Sequence, residues 1–292
     1  LPNKQLFFDK LKAKSISNDD YKHAKRVWLT FNCKSLKDYM EIYLKTDVLL
    51  LTDIFESFCS MCFKYYGLDC TSYMSLPQYS FDALFKHSEV ELELFHDIDM
   101  LNFIQKGIRG GTSCIFKRHA VANNSHLRNH DKSKPNSYLL YVDANNLYGF
   151  CMRQRLPISD FRFLSDSELE NFDIMSVKND SATGYILEVD LVYPDHLHDS
   201  HNDFPLAPEK IQISVDQWSP WMRKAAEIYK LRKKDGTEKL ITSFYEKKKY
   251  VVHISTLQLY IKLGMTVKRL HKVLSFRQTA WMKEFIDFNS AK

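Results

Sequence analysis

Two aspartates stand among neighbours that do not suit a surface charge. Asp47 lies in Tyr43-Leu44-Lys45-Thr46-Asp47-Val48-Leu49-Leu50-Leu51, directly before four consecutive aliphatic residues. On a helix Tyr43 and Asp47, four apart, share a face, so a phenol and a carboxylate can meet. Burying that carboxylate is costly unless a cation or metal ion accompanies it. Taken alone, these residues favour a Tyr–Asp hydrogen bond, or an exposed acid on a thin polar stripe, over a metal ligand. Asp143 closes the apolar run Leu139-Leu140-Tyr141-Val142 and precedes Ala144-Asn145-Asn146-Leu147-Tyr148-Gly149, which reads as a helix start. A carboxylate at a strand end beside a helix start can hold a divalent ion, and free amides there can meet phosphate oxygens. An ordinary N-cap aspartate satisfies the same pattern.

Three further groupings have chemical potential. The chain has only eight glycines, yet three fall within Gly107-Ile108-Arg109-Gly110-Gly111, where missing side chains let the backbone approach another group. Cys59-Ser60-Met61-Cys62 is a CxxC without a second pair at zinc-finger spacing, in an apolar helical run, so buried thiols are the better reading. His196, His198 and His201 lie close to Asp195, Asp199 and Asp203, but the spacing fits no standard ligand set and favours a solvated loop. The six cysteines (33, 59, 62, 70, 114, 151) show no disulfide rhythm and suit a reducing compartment.

The elements that must carry these residues follow from capping and periodicity. Asn18-Asp19-Asp20 opens an amphipathic helix with Tyr21, Ala24, Val27 and Trp28 inward. Ser35 and Asp38 form a capping arrangement for one or two helices of unusual length that end at Tyr66, with Gly67 as the stop. A Pro77-led helix reaches about His87. Strands are expected at Ser113–Arg118, Ser137–Val142 and Gly184–Tyr193, the last with Glu188 and Asp190 alternating with Leu187, Val189 and Leu191. Asn123–Asn136 and Pro194–Pro208 read as irregular segments. Helices return around Trp218–Lys234, His253–Leu263 and Thr279–Asn289, with a strand near Thr266–Phe276. The fold class is α+β, with helices segregated from a central antiparallel sheet.

Length and composition narrow the class. A chain of 292 residues, 45% hydrophobic and 26% charged, buries a real core and is neither disordered, collagen-like nor a disulfide miniprotein. No run approaches eighteen uninterrupted apolar residues, so no membrane partner is expected. Net charge is +5, but residues 221–280 hold fifteen Lys/Arg against four Asp/Glu, a local +11. That stretch is either a solvated basic face or a phosphate-contacting surface interleaved with aromatic rings.

Together these residues resemble a known family. Asp143-Ala144-Asn145-Asn146-Leu147-Tyr148 is similar to motif A of family B DNA polymerases, Asp-x-x-Ser-Leu-Tyr-Pro. Tyr43-x-x-x-Asp47 resembles the third motif of their 3′–5′ exonuclease domain. Arg109-Gly110-Gly111 stands between them, where protein-primed members carry Tyr-x-Gly-Gly. The flanks, including Asn202–Glu209 and Tyr250-Val251-Val252-His253, resemble polymerases of Maverick/Polinton transposons and related viruses.

The resemblance implies a two-metal nucleotidyl transfer with Mg²⁺. In it Asp143 and the Ala144 carbonyl would face the metal ions, and amides near Asn146 and Leu147 would contact the triphosphate. Tyr148 would pack under the sugar as a steric gate. Asp47 would be an exonuclease metal ligand and Tyr43 would orient the attacking water. Arg109, Gly110 and Gly111 would face template or primer DNA. Implied partners are DNA, dNTPs and a terminal priming protein, in an intracellular, nuclear setting. Three positions depart from the pattern: Ile108 for tyrosine, Asn146 for serine and Gly149 for proline.

The fingers-helix motif B, the Tyr-x-Asp-Thr-Asp hairpin of motif C and an upstream Asp-x-Glu are not found in the chain. The expected organisation is therefore an internal polymerase segment. Residues 1–106 would be the helical end of a ribonuclease H-like exonuclease domain and 107–136 a glycine-containing junction. Residues 137–192 would begin the palm, and 193–292 would be an inserted subdomain gripping priming protein and DNA. The alternatives are a non-catalytic nucleic-acid- or priming-protein-binding remnant and, more distantly, a metal-dependent nuclease.

Overall fold

Ser17 and Ser35 fix where the first two long helices begin. Each accepts from the amide three residues on, that of Asp20 at 3.1 Å and that of Asp38 at 3.3 Å. They start α1 (Asn18–Thr30) and α2 (Leu36–Tyr66). The Lys34 and Ser35 amides both donate to Asp38 at 2.8 Å and hold its carboxyl below the usual carboxylate range. α2 runs unbroken for 31 residues and ends at Gly67, whose φ of 62° lies in the left-handed region where glycine is favoured. α3 (Leu76–Ser88) returns, and Tyr79 donates to the Cys62 carbonyl at 3.1 Å. A short hairpin, β1 (Phe8–Asp9) with β2 (Lys14–Ser15), precedes these helices.

The structure, a computed structural model, describes residues 1–113, 115–117, 119–230 and 238–291. It divides into Leu1–His87 and Ser88–Lys292. In the first unit Ala24 is buried and Tyr21, Val27 and Trp28 half-buried, as their spacing predicts. Cys62 is buried, and the Cys59 and Cys70 sulfurs lie 3.4 Å apart as free thiols. Cys114 falls outside the described residues.

The second unit is built on one antiparallel sheet. In chain order its elements are α4 (Ile98–Gly107), α5 (Leu147–Met152), β3 (Leu156–Phe163), α6 (Asp166–Glu170), β4 (Thr183–Val192), β5 (Glu209–Gln212), α7 (Pro220–Ile228), β6 (Glu238–Ile241), β7 (Lys247–His253), α8 (Ile254–Lys262), β8 (Thr266–Thr279) and α9 (Lys283–Ser290). The main sheet has the order β3-β8-β4-β7, and β5 pairs with β6 in a separate ribbon. Leu187, Val189, Leu191, Tyr250, Val252 and Val273 pack with Leu257 of α8 on one face. Val251 and Leu274 pack with Phe103 of α4 on the other. Because both faces of β4 are covered, the expected alternation fails: Glu188 is buried and Asp190 half-buried. Asp190 accepts from the Lys249 amide at 2.8 Å and stands 2.9 Å from His271 Nε2, which together keep its carboxyl below the ordinary range.

Among the described residues two expected strands do not form. Ser137 makes a single antiparallel bridge to Asn123 and no ladder follows, so Tyr138 to Val142 lie exposed. Residues 113 and 115–117 form no strand, and Cys114 and Arg118 are outside the described residues. A strand exists only when a second backbone completes its hydrogen bonds, and propensity cannot supply that partner. The helix expected over Trp218–Lys234 covers Pro220–Ile228, and residues 231–234 are not described.

At the start of α6, Arg162 grips Glu168 through two bonds of 2.9 Å and 2.8 Å, and the Ser165 amide adds a third at 2.8 Å. The guanidinium and that amide bring Glu168 down to about 2 from an ordinary 4.5. A depressed carboxylate contributes stability that is fully present above 4.5 and is lost as pH falls toward 2. An NMR titration of Glu168 should show this low midpoint, and Arg162→Met should move it upward. A midpoint unmoved by that substitution contradicts the ion pair.

Candidate functional site

The turn after Asp143 is set by Asn146. Its φ of 49° and ψ of 46° are left-handed, a conformation asparagine tolerates better than most residues. As N-cap of α5 it accepts from the Gly149 amide at 3.2 Å through its side chain, and from the Phe150 amide at 2.9 Å through its carbonyl. Gly149 is buried against this cap, and a Cβ there would overlap the Asn146 side-chain amide. The two departures from the family motif are therefore in direct contact. Leu147 and Tyr148 carry the first-turn amides that have no partner among the described residues.

The N-cap is thus Asn146 rather than Asp143. Asp143 and Ala144 are exposed, and the Asp143 carboxylate has no hydrogen bond or ion pair among the described residues. Tyr148 is 85% exposed. The sequence from Asp143 to Tyr148 presents a free carboxylate, two free amides and an open aromatic ring within six residues.

The glycine junction is anchored through Arg109. Arg109 Nη1 donates to the Gly107 carbonyl at 3.2 Å and to the Val251 carbonyl on β7 at 2.7 Å. Its guanidinium lies 3.8 Å from the Tyr250 ring centroid. Gly107 is close to the same strand, since a Cβ there would meet Val251 Cγ1 at 3.1 Å. Gly110 and Gly111 are exposed, and a Cβ on either would meet nothing within 4 Å. Sequence reasoning missed this anchorage; the only local sign is the aromatic residue in Tyr250-Val251, 141 positions after Arg109.

Tyr43 and Asp47 belong to the first unit. Both side chains are exposed on α2, and the phenol donates to the carboxylate, which raises the tyrosine pKa. The pair is the simple hydrogen bond that four-residue spacing allows.

No three His, Cys, Asp or Glu side chains gather as a metal site among the described residues. Asp143 and Asp47 each offer one exposed carboxylate. The histidine-rich loop is a packing element. Tyr193 Oη and His201 Nδ1 are 2.7 Å apart, the Leu206 amide donates to Tyr193 at 3.2 Å, and His198 stacks on Phe244 at 4.5 Å.

Part of the basic stretch is engaged in contacts within the protein. Lys247 is fully buried, Lys268 pairs with Glu246 at 2.9 Å, Arg277 donates to Ser159 at 3.0 Å, and Lys272 lies over the Phe163 ring. Lys248 and Lys249 on β7 remain exposed, and Arg232, Lys233 and Lys234 are outside the described residues. A cavity of about 740 Å³ lined by Arg162, Phe172, Tyr185 and Arg277 contains none of the expected site residues. Among the described residues no helix is long and apolar enough to cross a membrane.

A sequence model for the family described as DNA polymerase type B, organellar and viral, matches residues 4–292. No curated protein and no solved structure matches the chain.

Proposed function

Because the chain belongs to the organellar and viral type B DNA polymerases, we propose that it works in template-directed deoxynucleotidyl transfer. The turn from Asp143 to Tyr148 would be its nucleotide-facing element and the Arg109–Gly111 junction its DNA-facing one. The observation that carries this reading is the turn itself. Asp143 makes no bond that the fold needs, Asn146 does the capping, and the Leu147 and Tyr148 amides are left to meet phosphate oxygens. The exposed Tyr148 ring suits the role of a flat surface beneath a deoxyribose.

Type B polymerases use Mg²⁺, which supplies charge stabilisation at the transferred phosphoryl group. Asp143 is the carboxylate we assign toward it, with Asp47 assigned to the exonuclease function and Tyr43 to orienting water there. In protein-primed replication of the Maverick/Polinton type, the basic stretch after residue 220 would contact DNA and the priming protein. On this reading 1–106 is exonuclease-derived, 107–136 the junction, 137–192 the start of the palm and 193–292 the insertion. The main sheet takes β3 and β4 from the residues up to 192 and β7 and β8 from those after it, so palm start and insertion would share one core.

A non-catalytic DNA-binding role is favoured by one observation, the lack of any metal-holding cluster among the described residues. Two assays on the 292-residue chain separate the readings. Fluorescence anisotropy should show primer–template binding that weakens steeply with NaCl. With Mg²⁺ and dNTPs the chain alone should not extend a primer. Absence of salt-dependent binding contradicts the polymerase reading, and robust incorporation contradicts the assignment of one carboxylate as insufficient.

A further inference from the structure

We propose that Arg109 is a positioning residue, which latches the Gly110–Gly111 backbone to edge strand β7 and does not itself bind phosphate; this rests on the reading that the junction faces DNA. Three contacts hold the side chain in place. Nη1 already serves two carbonyls, and the flat guanidinium is stacked on Tyr250. That ring is only 5% exposed and its hydroxyl donates to the Pro208 carbonyl at 3.1 Å, so the platform beneath Arg109 is itself fixed. Gly107, two residues before, is pressed against Val251. The chain is thereby clamped immediately before the two glycines.

The glycines have no internal reason to be glycine. Neither has a positive φ, and neither would crowd a neighbour if it carried a Cβ. What the clamp presents is a short stretch of bare backbone facing open space, with its direction set by Arg109. A lysine at 109 keeps the charge but lacks the planar fork and stacking surface, so it cannot reproduce the latch.

The test is the full 292-residue chain, wild type, Arg109→Lys and Arg109→Ala, titrated against a primer–template oligonucleotide across a NaCl series. With the latch, both variants weaken binding by about tenfold while the salt slope is unchanged. In both, amide exchange at residues 107–112 accelerates. If Arg109 contacts phosphate instead, Arg109→Lys binds like wild type and Arg109→Ala lowers the slope by about 0.9. That result overturns the proposal. Should the wild type show no salt-dependent binding, the polymerase reading fails, and the exchange measurement still decides the latch: unchanged exchange at 107–112 in both variants refutes it.

Discussion

If Asp143 faces the transferred phosphoryl group as proposed, replacing it with asparagine should lower primer extension by the active polymerase by about three orders of magnitude, because a missing charge at such a centre costs several kcal/mol. The same substitution leaves primer–template affinity within about twofold, since the residue repels phosphate rather than attracting it. The structure makes this a clean experiment. The carboxylate is exposed, makes no bond among the described residues and does not cap α5. Asparagine is nearly isosteric, so the turn held by Asn146 and Gly149 has no reason to move. Loss of extension with intact DNA binding and an unchanged melting profile would assign Asp143 to the chemistry. Near-normal extension by the variant would remove it from the site.

A second large effect is expected far from that turn. Lys247→Ala destabilises the second unit by about 3–5 kcal/mol, the usual cost of removing one partner from a buried ion pair. Lys247 is 0% exposed, and its ammonium donates to Glu209 at 2.7 Å, to Ser243 Oγ at 2.7 Å and to the Ser243 carbonyl at 3.2 Å. All three protons are used, so the charge is tolerated where a lone lysine would not be. Alanine leaves the Glu209 carboxylate without its cation and opens a cavity. Pairing Lys247→Met with Glu209→Gln should recover much of the loss, because an apolar side chain of similar volume needs no counter-charge. Urea unfolding of the three proteins decides the point. An alanine variant within about 1 kcal/mol of wild type would show that the ammonium is not desolvated as described.

Lys247 also shows what a sequence conceals. In Lys247-Lys248-Lys249 three identical letters read as one basic face, yet the first is the most buried of the three and belongs to the core. Its partner Glu209 lies 38 residues away, on a ribbon that no local pattern announces. The same distance effect hid Arg109, whose acceptor on Val251 is 142 residues further on. By contrast, Ser35, Asp38 and Gly67 settled the limits of α2 because caps and left-handed stops act within four residues. β4 was legible from the alternation of Leu187, Val189 and Leu191 with Glu188 and Asp190, and β8 covers the strand expected near Thr266–Phe276. Tyr138 to Val142 also read as a strand but find no pairing strand among the described residues. At the site, the residues of the Asp143 turn were legible as a contiguous motif. The assignment of the cap to Asn146 was not, because it depends on one backbone angle of 49°.

That angle couples two positions. Asn146 and Gly149 look like two independent replacements of a serine and a proline, but each supplies the condition for the other. A side chain at 149 would occupy the space of the Asn146 amide, and serine at 146 lacks asparagine's tolerance of the left-handed turn. Changing either residue alone would leave a misfitted helix start. The two positions therefore act as one structural unit, and a change at either is felt at the other.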